Sequence, residues 1–198
     1  AAVVLAVVSS QSAWAWPSPI DDKYPKLDAA LYARYADARD LLDRYAGESD
    51  FLDLSKSRLD YVLTKNERFA PAYMQLARLF ILINDEDGGN GFLAADKAIH
   101  KAIEIEPDYA DAWVLQGYID AHLGKHEMAI EAFNKARSIG TENPWLEINL
   151  AEEDLMSGKD EEALQALDRI SAKGSDSKKA RRAIPEIYIE YYKKKNDL

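Results

Sequence analysis

Small and apolar residues recur along this chain at one fixed distance. Ala95, Ala129 and Ala163 lie 34 residues apart, as do Ile99, Phe133 and Leu167, then Ala102, Ala136 and Ile170. Inside each set the steps are four and then three, which puts the three side chains on one face of a helix. Gly124 recurs at Gly158 with the same period, where a turn between helices belongs. A 34-residue period with helical spacing inside it predicts stacked helix pairs, each burying its apolar stripe against its neighbours.

The clearest unit runs from Ala110 to Asn143. Trp113, Gly117, Gly124, Ala129, Phe133 and Ala136 supply, in that order, bulk, close approach, a turn, close approach, bulk and close approach. The unit resembles the tetratricopeptide repeat (TPR), whose pattern has Trp, Leu-Gly, Tyr, a turn Gly, Ala, an aromatic, Ala and Pro at these offsets. Gln116 stands where that pattern has Leu, and Asp120 where it has Tyr. Upstream, Tyr73, Leu76, Ala77 and Phe80 match a first helix, and Ala95, Ile99, Ala102 and Pro107 match a second. That unit is six residues too long, since Tyr73 and Trp113 are 40 apart. The surplus falls in Asn84–Gly91 (NDEDGGNG), which reads as a turn between the helices. Downstream, Leu150, Ala151, Gly158, Ala163, Leu167 and Ile170 form a further repeat, with Glu147 in the place of the aromatic.

The resemblance implies an all-α, right-handed superhelix (an α-solenoid) of antiparallel helix pairs with a C-terminal capping helix. Its units are 70–107, 110–143 and 144–174, preceded by a degenerate pair over 27–66. There Leu27–Ala46 reads as a long first helix, and Ser55, Leu59 and Val62 keep the second-helix spacing. The cap spans 175–198, where Ile184, Ile187, Tyr188 and Tyr191 form a single apolar stripe opposite a Lys/Arg-rich face. Pro185 lies inside that stripe and either kinks the helix or marks a new first turn.

The first residues stand apart from this pattern. Ala1–Val8 is a bare apolar run, Ser9–Ser12 turns polar, and Ala13-Trp14-Ala15 supplies the small-x-small pattern of a cleavage site. Residues 1–15 therefore read as a signal peptide whose start is trimmed, with an apolar helix packed on the fold as the alternative. Cleavage would leave Trp16-Pro17-Ser18-Pro19 at the head of an extended segment over 16–26, because its prolines oppose helix. A periplasmic or secreted location follows from that reading. No segment after Ala15 has the roughly 18 apolar residues that a membrane span needs. The chain has no cysteine, which excludes a disulfide framework, thiolate zinc sites and a cysteine nucleophile.

Charge narrows the partners. The net charge of −10 disfavours nucleic acid, whose phosphates call for a basic footprint. The charge is also uneven, with eight Lys/Arg against four Asp/Glu in residues 173–198 and an acidic remainder. Candidate chemistry is thin. Asp85, Asp87 and Asn90 sit among glycines, but a calcium loop starting at Asp85 has Gly89 and Asn90 in the wrong places. His122 and His126 have the spacing of two helical metal ligands, yet Gly124 puts a turn between them. Paired carboxylates such as Glu152-Glu153 point apart on a helix. No nucleophile elbow, phosphate loop or dinucleotide fingerprint is present, so neither a cofactor nor an enzyme is expected.

The resemblance also implies where a partner binds, since TPR proteins hold protein or peptide partners with particular first-helix residues on the concave side. Those positions here are Met74, Gln75 and Arg78, then Val114, Tyr118 and His122, then Ile148, Glu152 and Met156, with Asp111 and Trp145 at the groove's edge. Arg78 is the one cation among the nine, so a clamp for a C-terminal carboxylate is not expected. The mixture of apolar, Tyr and Met positions suits an amphipathic helix or an extended peptide. Packing against the next repeat is the competing role for each of these residues. Two rival functions stay open: an enzyme using scattered carboxylates, and a homo-oligomer whose end repeats stack.

Overall fold

Stripes spaced four and three along the chain close on one another as helix pairs. The computed structural model describes residues 20, 23–24, 28–87, 91–173 and 178–196. Among them α1 (Ala29–Arg44) packs on α2 (Ser49–Lys65), α3 (Ala70–Asp87) on α4 (Gly91–Ile105), α5 (Ala110–His122) on α6 (His126–Ile139) and α7 (Pro144–Met156) on α8 (Asp160–Lys173). The first helix of one pair also touches that of the next, α1 against α3 and α5 against α7. A ninth helix, α9 (Lys178–Asn196), lies on α7 and α8. One buried apolar cluster runs through the stack from Tyr24 to Ile187, with a satellite of Leu42, Tyr45, Leu52, Leu79 and Leu82 where α1, α2 and α3 meet.

The small residues of the repeat sit where two helices nearly touch. Ala95, Ala129 and Ala163 are all fully buried, as are Ile99, Phe133 and Leu167 beside them. At Gly117 the approach leaves no room for a side chain, because a Cβ there would lie 2.4 Å from the Phe133 ring. The volumes trade across the repeats. Gly117 meets Phe133, while the corresponding pairs elsewhere are Ala77 with Ile99 and Ala151 with Leu167. In the first pair Ser55 takes the alanine's place and its hydroxyl donates to the Ala38 carbonyl at 2.9 Å. Gly124 and Gly158 close their turns with φ of +73° and +77°, a left-handed backbone that a side chain would strain.

Two departures from the repeat pattern answer each other. Gln116 and Asp120 are both buried, and the Gln116 amide donates to Asp120 Oδ2 at 2.7 Å and to Asp96 Oδ1 at 3.0 Å. Lys125 adds its charge from the α5–α6 turn, 3.3 Å from Asp120 Oδ1. A polar network thus stands where the pattern would put Leu and Tyr.

Two expectations need correction, and one open choice is decided. Asn84–Asp87 do not form a turn but continue α3, which is 18 residues long against 13 in α5. Five of the six surplus residues lengthen α3 and one lengthens α4. Asp85 and Asp87 lie on a helix, which removes the loop a calcium site needs; Asn90 lies outside the described residues. Pro185 sits well inside α9 and so does not open a new helix. Finally, the segment before α1 is not simply extended. Lys23 and Tyr24 form a short 3₁₀ turn, with the Lys23 amide donating to the Ile20 carbonyl at 3.1 Å. The Tyr24 ring is buried 4.4 Å from that of Phe69. Its hydroxyl donates to Glu106 Oε1 at 3.1 Å and accepts from the Ala70 amide at 3.3 Å, and Lys23 pairs with the same Glu106. The signal-peptide reading of residues 1–15 lies outside the described residues.

Candidate partner-binding groove

The first helices α5 and α7 touch, as α1 and α3 do, so residues one period apart on α5 and α7 line up across them. Of the eleven residues expected at the groove, Tyr118, His122, Glu152 and Met156 keep part of their surface in water. The other seven, Met74, Gln75, Arg78, Asp111, Val114, Trp145 and Ile148, are buried and present no surface to a partner. For these the packing role prevails.

The polar members of the buried set are bound into the array. Arg78 is 2% exposed; its guanidinium donates to Asp43 Oδ1 at 2.7 Å and also to Gln75 Oε1. It therefore ties α3 to α1 rather than awaiting an anionic partner. Asp111 accepts from the Thr141 hydroxyl at 2.8 Å and from the Asn143 amide at 3.2 Å. Asn143 in turn caps α7, taking the Trp145 backbone N–H at 3.1 Å. So Asp111 fixes the junction between two repeats.

Around the exposed members the surface is aromatic. Phe92, from the first turn of α4, stacks on the His122 ring with centroids 4.7 Å apart, and Tyr118 leans on His122 at 4.1 Å. Each of the three rings is partly exposed. Phe92 escaped the sequence reading because it is a second-helix residue. Its signal was a large apolar side chain outside the Ala95/Ile99/Ala102 stripe. His122 Nδ1 lies 2.9 Å from the Tyr118 carbonyl oxygen, which can only accept, so Nδ1 carries the hydrogen and Nε2 keeps a lone pair. Burial holds the His122 pKa below the usual histidine range against the opposing pull of that hydrogen bond. At neutral pH the ring is an uncharged aromatic surface with one acceptor.

One period further on, Glu152 takes the place of Tyr118, and Met156 that of His122. Glu152 is half-buried, and burial together with the charges of Glu153 and Glu190 pushes its pKa up to about 8. Glu153 is buried, with Oε2 2.9 Å from His126 Nδ1. Burial raises its pKa, and the His126 hydrogen bond offsets part of that rise. His122 and His126 thus have different partners on different helices and do not converge. Among the described residues no three His, Asp or Glu side chains are grouped to hold a metal ion, and no helix is long and apolar enough to cross a membrane.

Comparison by sequence finds no matching family model and no matching curated protein. Comparison by structure does find similar folds. TTC0263, a thermophilic TPR protein of Thermus thermophilus, superposes with a TM-score of 0.66 at 18% identity, covering 86% of this chain and 88% of its own. MamA superposes with a TM-score of 0.54 at 20% identity, covering 90% of this chain and 88% of its own. The chain has the TPR fold, an all-α right-handed superhelix of antiparallel helix pairs closed by a capping helix. Arrays of this kind are in general protein-interaction modules that present an extended concave surface.

Proposed function

We propose that the chain is an exported interaction module that holds a protein or peptide segment along its concave side. The observation that carries the reading is the Phe92–Tyr118–His122 cluster. Three rings from two helices meet on the surface, and aromatic side chains held in this way are the usual anchors of a recognition site. The partner's complementary feature is an apolar or aromatic side chain laid against the rings, with a donor within reach of His122 Nε2. Export is supported by the apolar run and the Ala13-Trp14-Ala15 pattern, and places the encounter in the periplasm or outside the cell. A scaffold role in an envelope assembly fits that setting.

A photo-crosslinking residue at Phe92 or Tyr118, in the native source, tests the groove. Discrete protein adducts are expected there and none from Met128, an exposed position on the second helix α6. Equal labelling at all three positions would sink the groove. N-terminal sequencing of the native protein tests export separately: a chain beginning at Trp16 supports it, and an intact 1–15 segment overturns it.

A further inference from the structure

The capping helix shows a second surface, apart from the Phe92–Tyr118–His122 cluster. On α9 the buried residues Ala183, Ile184 and Ile187 face α7 and α8. The opposite face carries Arg182, Pro185, Glu186, Ile189, Tyr192, Lys193 and Asn196, all exposed. At 100° per residue these lie within about 60° of Ile189, so they form one continuous strip. Ile189 is 55% exposed and Tyr192 is 51% exposed, two large apolar side chains one turn apart in water. Tyr192 stands edge-on to the Tyr191 ring at 5.0 Å, and Tyr191 is itself held by Asp160 at 2.7 Å. Its orientation is therefore set before any partner arrives.

The charges on the strip name the occupant. Glu186 and Lys193 flank Ile189 on the same side of the strip, Pro185 and Tyr192 on the other, and neither Glu186 nor Lys193 pairs with another described residue. Two copies of such a helix laid antiparallel, Ile189 against Ile189, bring each flank opposite itself with its ends exchanged. Glu186 then faces the partner's Lys193, offset by one residue or about 1.5 Å. Pro185 meets the partner's Tyr192, and symmetry repeats both contacts. A parallel arrangement puts Glu186 beside Pro185 and Lys193 beside Tyr192, with no ion pair and no matched apolar contact. The strip is thus complementary to itself in one orientation. We propose that α9 is the interface of a homodimer, with the two helices crossing antiparallel at Ile189.

Sedimentation equilibrium on the full chain tests this. The parent is expected to form dimers at tens to hundreds of micromolar, and Ile189→Asp to stay monomeric with an unchanged circular-dichroism melt. Glu186→Lys and Lys193→Glu should each weaken the dimer by about tenfold or more, since each removes two symmetric pairs and sets like charges together. The double exchange Glu186→Lys/Lys193→Glu should restore the parent affinity. A parent that remains monomeric at those concentrations overturns the proposal, as does a dimer that survives Ile189→Asp. A double exchange no tighter than the single variants rules out the antiparallel register and with it the proposed interface.

Discussion

Helices α5 and α9 stand two periods apart in the same place of the repeat, and they are buried very differently. In α5 ten of 13 residues are buried, because α6 closes over one side while α4 and α7 cover others. In α9 the buried face is a single stripe, because no second helix follows among the described residues. Gly117 and Pro185 occupy one register position, 68 residues apart. At Gly117 even a methyl group collides with Phe133, whereas Pro185 is exposed. A repeat position is therefore demanding only when the partner helix that makes the demand is present. The groove positions differ in the same way: Tyr118 and His122 in α5 become Glu186 and Glu190 in α9.

Substitutions can test that contrast. The largest loss is expected from Phe133→Ala, about 3–5 kcal/mol by chemical denaturation, because α5 and α6 cannot collapse into the space left behind. Stability equal to the parent would break the assigned register. Next comes Arg78→Ala, at about 3 kcal/mol, because it leaves Asp43 and Gln75 without their shared donor. Tyr118→Ala, at a partly exposed position, should cost clearly less; the reverse order would mean that Arg78 is not the tie between α1 and α3.

Gly117→Ala should destabilise by about 1–3 kcal/mol through overpacking, despite the better helix propensity of alanine. Pairing it with Phe133→Leu rebuilds the Ala151/Leu167 combination and should recover most of the loss. A double variant as weak as the sum of the singles would refute the volume exchange. Pro185→Ala, at the matching place in α9, should act with the opposite sign and gain about 1 kcal/mol, well below the full helix penalty of proline because alanine also gives the unfolded chain more freedom. Identical signs at 117 and 185 would erase the comparison.

The smallest change, near pH 5, is expected from Glu152→Gln, and it grows as the solution becomes more alkaline. Glu152 holds its proton up to about pH 8 in the folded chain, well above an ordinary glutamate. Between the unfolded pKa and about 8 the folded state binds more protons, so this group makes stability fall as pH rises. Thermal melts of Glu152→Gln should lose that slope and gain most over the parent near pH 8. A parallel pair of pH profiles would show that Glu152 does not feel Glu153 and Glu190 as described.

The parts of the fold that were legible in the sequence share one cause. Ala129, Phe133, Gly117 and Gly124 are each dictated by a local geometric need that few residue types satisfy, and the period repeats that need. Asn84–Gly91 misled because turn-forming composition is a local preference. Carrying the extra residues as about one and a half more turns of helix instead preserves the packing on both sides. The groove was only half legible for a related reason. Register tells which way a side chain points in an average repeat, but Arg78 and Gln75 are covered by Asp43 and Tyr35 of α1, a helix without most of the signature residues. Long-range contacts of that sort leave no periodic trace.

The Tyr24 contact sets an order of events in time. Elsewhere in the stack, contacts are made within a helix pair or with the next one, so segments can pack as soon as both exist. Tyr24 instead reaches Ala70, 46 residues away, and Glu106, 82 residues away. Closing so long a loop costs chain entropy that grows by about 0.6 kcal/mol with each doubling of its length. That cost is offset only where Phe69, Ala70 and Glu106 stand together, so Tyr24 is expected to dock onto α3 and α4 once they have packed. Lys23 and Tyr24 are thus expected among the last described residues to settle, and during synthesis more than 80 residues must follow Tyr24 before it can meet Glu106.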